Sequence, residues 1–220
     1  ALPPVTAAGC EVRLFDAAPS NDLPPVPRFN ICPTTPVAVV TSDGGARRLR
    51  PMRWGFIPHW YKTPTDGPLI INARADTVAT KPAFRDAIRT RRCIVPASGF
   101  YEWQEVGGKK LPWYFTRTDG APMAFAGLWQ RWGEIDTVAI VSTDAGPGMQ
   151  GLHHREAVVL ERGDWPLWLG EAGRGGEAAG ETQGVASAGP SNLCAASLEM
   201  PSDKPTAKRI DGSVAACMTS

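Results

Sequence analysis

Glycine pairs and aspartate–glycine steps recur along this chain between short apolar runs, and that punctuation limits what it can fold into. Asp43-Gly44-Gly45, Gly107-Gly108, Asp119-Gly120 and Gly146-Pro147-Gly148 are turn signals. The runs between them are Val37 to Val40, Cys93-Ile94-Val95-Pro96, Trp113-Tyr114-Phe115, Met123 to Trp132, Thr137 to Ser142 and Val158-Val159-Leu160. Short runs joined by tight turns read as antiparallel strands, with Arg47 to Trp54 returning after the first turn. Helices are expected only over Lys81–Arg92 and around 162–169, and the proline-rich stretch Pro19 to Pro27 reads as loop. The expected fold is α+β: a single domain with a curled, barrel-like, antiparallel-rich sheet and a few short helices, over residues 1–169.

Composition is uneven along the chain. All eight tryptophans lie between Trp54 and Trp168, and nothing aromatic follows. From Gly170 the sequence turns to Gly, Ala, Ser and Thr, which bury too little area to offset their ordering entropy. Residues 170–220 are therefore expected to form a divergent, partly mobile tail. A net charge of +1 gives no global attraction for a polyanion, so any such site must be local. No apolar run approaches the roughly 20 residues that span a bilayer, and Ala1-Leu2-Pro3-Pro4 lacks the features of a signal peptide. Five cysteines without a Cys-x-x-Cys pair argue against a disulfide framework and a zinc cluster. The expectation is a cytoplasmic protein with reduced thiols and neither metal nor cofactor.

Several side chains are open to a chemical and a structural reading. Glu102 lies in an aromatic frame, Phe100-Tyr101-Glu102-Trp103, where desolvation would raise its pKa and make it a proton donor; an outward strand carboxylate is the alternative. His153 and His154 are two of three histidines, and as strand neighbours they would point to opposite faces, so that one at most serves a site. Asn72 and Arg74, two apart, share one face of a strand and suit a phosphate or carbonyl oxygen, or are ordinary solvated groups. Trp54, Trp60 and Tyr61 are base-stacking platforms or core, and the Pro and Gly around them hold the rings on a loop. Cys32 is a nucleophile paired with His153 or a small buried thiol. Walker, Gly-x-Gly-x-x-Gly and Gly-x-Ser-x-Gly signatures are missing.

Five blocks in order resemble the SOS-response-associated peptidase (SRAP) family, the abasic-site processing proteins. Arg28-Phe29-Asn30-Ile31-Cys32-Pro33 resembles Tyr-Asn-x-Ala-Pro, and Trp54-Gly55-Phe56-Ile57-Pro58-His59-Trp60 resembles Trp-Gly-x-x-Pro-x-Trp. Asn72-Ala73-Arg74-Ala75-Asp76-Thr77 resembles Asn-Ala-Arg-x-Glu-Thr, and Gly99 to Trp103 the block ending in Glu-Trp. Leu152-His153-His154-Arg155 resembles the His-x-Arg-Met-Pro block.

The resemblance implies a monomeric sensor of abasic sites in single-stranded DNA, nucleoid-associated when bound. In the family an N-terminal cysteine forms an imine with the opened sugar and then a thiazolidine; lyase-like behaviour and self-processing peptidase activity are also implied. Glu102 would move protons, His153 would assist the imine step, and Asn72 would hold the linked sugar. Arg74 would hold a phosphate, Trp60 and Tyr61 would line the strand's path, Ser142 would sit at the rim, and Asn30 and Pro33 would contact DNA.

The chain departs from the family at four places. It opens at Ala1 instead of Met-Cys-Gly-Arg, and Cys10 cannot supply both amine and thiol. Cys32 stands for alanine, Glu156-Ala157 for Met-Pro, and the tail shows no closing Val-Asn strand. An α-amine with a pKa of about 8 still forms an imine, so the expectation for the sequence as it stands is an imine without ring closure. A non-catalytic single-stranded DNA binder and a cysteine peptidase using Cys32 and His153 are the rival expectations.

Overall fold

The computed structural model describes residues 12–25, 30–149 and 152–171, together with the backbone of two short strands at 193–197 and 215–217. Residues 1–11, Arg28 and Phe29 of the first block, and most of the tail fall outside the described residues, as do the expectations placed on them.

The turn signals make the expected hairpins. β2 (Pro36–Asp43) and β3 (Ala46–Trp54) pair antiparallel with Asp43 opposite Ala46. β6 (Gly99–Val106) and β7 (Lys109–Arg117) pair with Val106 opposite Lys109. Gly107 and Gly108 there have φ of 59° and 76°, the conformation that a two-residue hairpin needs and side chains resist. With β1 (Ala17–Pro19) and β10 (Arg155–Ala157) at its ends, β5 (Arg92–Ala97), β8 (Met123–Trp132) and β9 (Ile135–Asp144) extend the first sheet in the order β1-β3-β2-β5-β8-β9-β10. β3 also pairs with β9, parallel, through Arg53–Thr137 and Trp54–Val138, so the sheet is partly closed on itself rather than a strict barrel. A second sheet holds β6 and β7 between β11 (Leu193–Ser197) and β12 (Ala215–Cys217).

Period-two alternation splits the first sheet's side chains between two cores. On one face Val40, Leu49, Ile94 and Leu128 pack with Phe15, Phe84, Trp165 and Trp168. On the other, Val39, Met52, Val95 and Phe125 pack with Phe100 and Phe115 of the second sheet. Burying side chains of this size contributes about 1.5–3 kcal/mol each.

Four local expectations are corrected. The helix over 81–92 is regular only in α1 (Ala87–Thr90); before it lies a run of turns, because Pro82 has no N–H to give, and Arg92 already belongs to β5. Pro19 closes a short strand, β1 (Ala17–Pro19), instead of opening a loop; β1 is an edge strand, where a proline costs no central hydrogen bond. The strand at Val158–Leu160 begins earlier, as β10 (Arg155–Ala157) on β9, and then crosses to β8, with Val158 N–H on Val141 and Leu160 N–H on Ala124. Trp54 is not on a loop: it ends β3, is 1% exposed and donates from its indole to the Ile71 carbonyl, so it cannot stack a base.

The helix near 162–169 is a 3-10 turn (Arg162–Asp164) running into α2 (Trp165–Trp168). Pro166 suits the first turn, Trp165 stacks on Phe15 at 4.4 Å, and Trp168 Nε1 donates to the Cys93 carbonyl at 2.8 Å.

Candidate functional site

Alternation along β6 puts Glu102 on the same face as Phe100, which stacks on Phe115 across the hairpin at 5.0 Å. Trp113 stands directly opposite Glu102, its indole tied to Gln104 Oε1 at 3.1 Å. The carboxyl is therefore walled by rings and buried, and burial pushes its pKa up to about 7 against the opposing pull of the His153 imidazole and the Trp103 N–H. The proton-donor reading of Glu102 gains a physical basis, and the outward-carboxylate alternative is removed.

His153 comes to Glu102 from the connection between β9 and β10. Its N–H bonds to the Met149 carbonyl at 3.2 Å, and Met149 N–H bonds in turn to Gly146. Ring Nδ1 lies 2.7 Å from the Arg155 carbonyl and 3.2 Å from the Arg155 N–H, so the Arg155 backbone orients the imidazole. His153 and His154 do not point to opposite faces: they lie on a loop, not a strand, and their rings are 4.5 Å apart.

The amide and guanidinium come from β4 (Asn72–Arg74), which pairs parallel with β9. Ala73 turns into the core at 0% exposure, so Asn72 and Arg74 share the opposite face, as their spacing predicts. Asn72 Oδ1 is buried and has no hydrogen-bond partner among the described residues. A buried acceptor left unpaired costs about 1–3 kcal/mol. Arg74 is exposed and pairs with Asp76 at 3.1 Å, an ion pair too solvated to be worth much.

Sequence reasoning missed Arg155. Its guanidinium donates to the Ser142 carbonyl at 2.7 Å and to Asp144 at 2.8 Å and lies 3.5 Å from Asp76, while its own carbonyl fixes the His153 ring. Arg155 thus ties the loop bearing His153 to the ends of β9 and β4. The available signal was its place two residues after His153 in the last block. Ser142, expected at a rim, is buried beneath this bracket, with Oγ 3.4 Å from Arg155 Nε.

The remaining expected residues lie on two loops that meet the end of β3. The loop over 55–61 turns at Gly55, whose φ of +135° and contact with the Arg53 guanidinium exclude a side chain. Ile57 is held by Thr137 and Gln130, five strand residues along β9 from Ser142, about 17 Å. Trp60 stands 49% exposed with His59 edge-on at 4.9 Å, and Tyr61 is half-buried, its carbonyl bonded to the Trp132 indole. Asn30 (φ 50°) and Pro33 lie on a turn pinned to the end of β3 by Thr34 N–H on the Trp54 carbonyl. The exposed Cys32 thiol faces the Asn30 carbonyl at 3.6 Å. Among the described residues no cluster of three His, Cys, Asp or Glu could hold a metal.

Comparison with known proteins gives a consistent set of matches. Residues 7–192 match the family described as SOS response associated peptidase (SRAP). The abasic site processing protein YoaM of Bacillus subtilis is 37% identical over 149 residues, 65% of this chain and 66% of its own length. YedK of Escherichia coli, with the same description, is 32% identical over 161 residues, 71% of each chain. The chain thus spans about two thirds of the length of such relatives. A crystal structure from Bordetella bronchiseptica superposes with a TM-score of 0.71 at 28% identity, covering 86% of this chain and 94% of that one.

Proposed function

This chain belongs to the SOS response associated peptidase (SRAP) family, and from that membership we propose that it processes abasic sites, taking single-stranded DNA as its substrate. The observation that carries the reading is the buried Glu102 carboxyl, held near neutral pKa and facing His153. The unpartnered Asn72 amide oxygen on the adjoining sheet supports it. Names and lengths of relatives alone would not assign these roles.

The chemistry needs a proton donor, a proton acceptor and anchors, and no metal. A ring-opened abasic sugar presents an aldehyde. An amine attacks its carbon, the C–N bond forms, and Glu102 gives its proton to the oxygen that had been the carbonyl. The His153 imidazole takes the proton released from nitrogen. A second proton transfer expels water and leaves the imine. Addition of a thiol across the C=N bond, its proton passing to nitrogen, closes a thiazolidine without any change of oxidation state. In the family the amine and thiol belong to one N-terminal cysteine; the described residues begin at Val12 and contribute the acid, the base and the anchors. Asn72 Oδ1 accepts from a sugar hydroxyl, Arg74 exchanges Asp76 for a phosphate, and Trp60 with Tyr61 stacks bases of the splayed strand.

Borohydride trapping tests the proposal. Abasic single-stranded DNA should give a covalent adduct with the chain and with a version extended by Met-Cys-Gly-Arg, and Glu102→Gln should remove it. Absence of adduct from both forms would overturn the reading; salt-dependent binding without adduct would then leave a single-stranded DNA binder. The peptidase alternative requires a reactive Cys32 thiol, and an unreactive one would remove it.

A further inference from the structure

Between β4 and β5 the chain carries cations for which the chemistry above has no use. Lys81, Arg85 and Arg89 recur at every fourth residue and are exposed, while Phe84, Ala87 and Ile88 between them are buried. Arg85 N–H on the Lys81 carbonyl at 3.0 Å and Ile88 N–H on Phe84 at 2.9 Å give the segment helical spacing. The three cations, four residues apart, therefore stand along one exposed ridge.

Little offsets that charge. Asp86 is the one acid in residues 77–92, which hold five Lys and Arg. It lies 3.7 Å from Arg85 Nε with both side chains 58% exposed, a pairing of small worth. Lys81 and Arg89 form no ion pair among the described residues.

The ridge begins where the site ends. Thr77 N–H bonds to the Arg74 carbonyl at 3.1 Å and Lys81 N–H to the Thr77 carbonyl at 2.9 Å. Two such turns carry the chain from Arg74 to the first cation within seven residues.

We propose that Lys81, Arg85 and Arg89 form a second nucleic-acid contact, a track that grips backbone phosphates of the strand flanking the lesion on the Arg74 side. The proposal rests on the DNA-processing reading above. A polynucleotide backbone offers what the ridge lacks, one anionic charge per nucleotide in a continuous row. A folded protein partner would need an apolar anchor, and the exposed residues among the cations are Pro82, Asp86 and Thr90, with no large apolar side chain.

The test compares the wild-type chain with the triple variant K81Q/R85Q/R89Q, which keeps the aliphatic stems and should melt at the wild-type temperature. Fluorescence anisotropy across a salt series reads binding of single strands of about five and about twenty nucleotides, abasic and undamaged. Wild type should bind the long strands at least about tenfold more tightly than the short ones. The variant should lose most of that gain, and the slope of its log affinity against log salt should shrink by about 2, while adduct yield on the short abasic strand stays unchanged. An unchanged length gain and slope in the variant would overturn the track. So would equal losses on short and long strands, or competition by polyglutamate as effective as by DNA, which would point to an acidic polypeptide. Failure of trapping in wild type, with the length gain present and ridge-dependent on undamaged strands, would overturn the abasic chemistry and leave the track standing.

Discussion

Glu102 and Asp119 lie close in sequence, on either side of β7, and their surroundings are opposite. Glu102 is buried among rings beside an imidazole, with the orphaned Asn72 oxygen on the neighbouring sheet. Asp119 is taken up by Arg117 at 2.8 Å, accepts the Ala121 N–H, and shares that guanidinium with Glu161 at 2.9 Å. Arg117 and its backbone neighbours hold the Asp119 pKa down to about 2, whereas burial lifts Glu102 to about 7. One carboxyl is thus set by burial and the other by hydrogen bonds and ion pairs.

The sharpest way to break that contrast is Glu102→Gln. Adduct formation should fall by about 10²–10⁴-fold, the span of a lost general acid, read by borohydride trapping. Stability should move the other way. A carboxyl whose folded pKa is raised stabilises the fold below its unfolded value of 4.5 and loses that contribution as pH rises toward about 7. The variant should therefore gain melting temperature relative to wild type above neutrality; equal pH profiles would show Glu102 to be an ordinary solvated acid.

Trp60→Ala comes next. A ring 49% exposed supports little of the core, so single-strand affinity should drop by about 1–3 kcal/mol with melting unchanged. Asn72→Ala should cut adduct yield about tenfold without loss of stability, because the oxygen it removes has no partner to abandon. Arg117→Ala tests the other region: about 1–2 kcal/mol of stability should go, read by urea denaturation, with trapping untouched. Smallest is Asp119→Asn. A depressed carboxylate stabilises above its unfolded value of 3.8 and loses that contribution as pH falls toward about 2, so the variant should melt slightly below wild type above about pH 4 and converge with it toward pH 2.

How much of this could be read beforehand depends on the range of the interaction. The hairpins at Gly44-Gly45 and Gly107-Gly108 were legible because turn chemistry is local, and the shared face of Asn72 and Arg74 because strand period is fixed. The burial of Trp54 was not, since Ile71, which takes its indole hydrogen, reaches it through tertiary packing. Nor was the tilted His153–His154 ring contact, which exists because both lie on an irregular loop where no period applies. Arg155 was hidden for the same reason: its partners Asp76, Ser142 and Asp144 belong to other segments, brought to it by β4 and β10 docking on β9. Glu102 lay between, with an aromatic frame visible in sequence and an imidazole neighbour supplied by the fold.

Ala73 carries a consequence for how such a site can change. It is wholly enclosed between Asn72 and Arg74, opposite Val141. Any bulkier residue at 73 would lift the short strand off the packing beneath it and displace amide and guanidinium in the same movement. The two groups are thus coupled like ends of a seesaw, and lineages that adjust the gap between sugar and phosphate contacts must do so by editing β9 instead of the pivot.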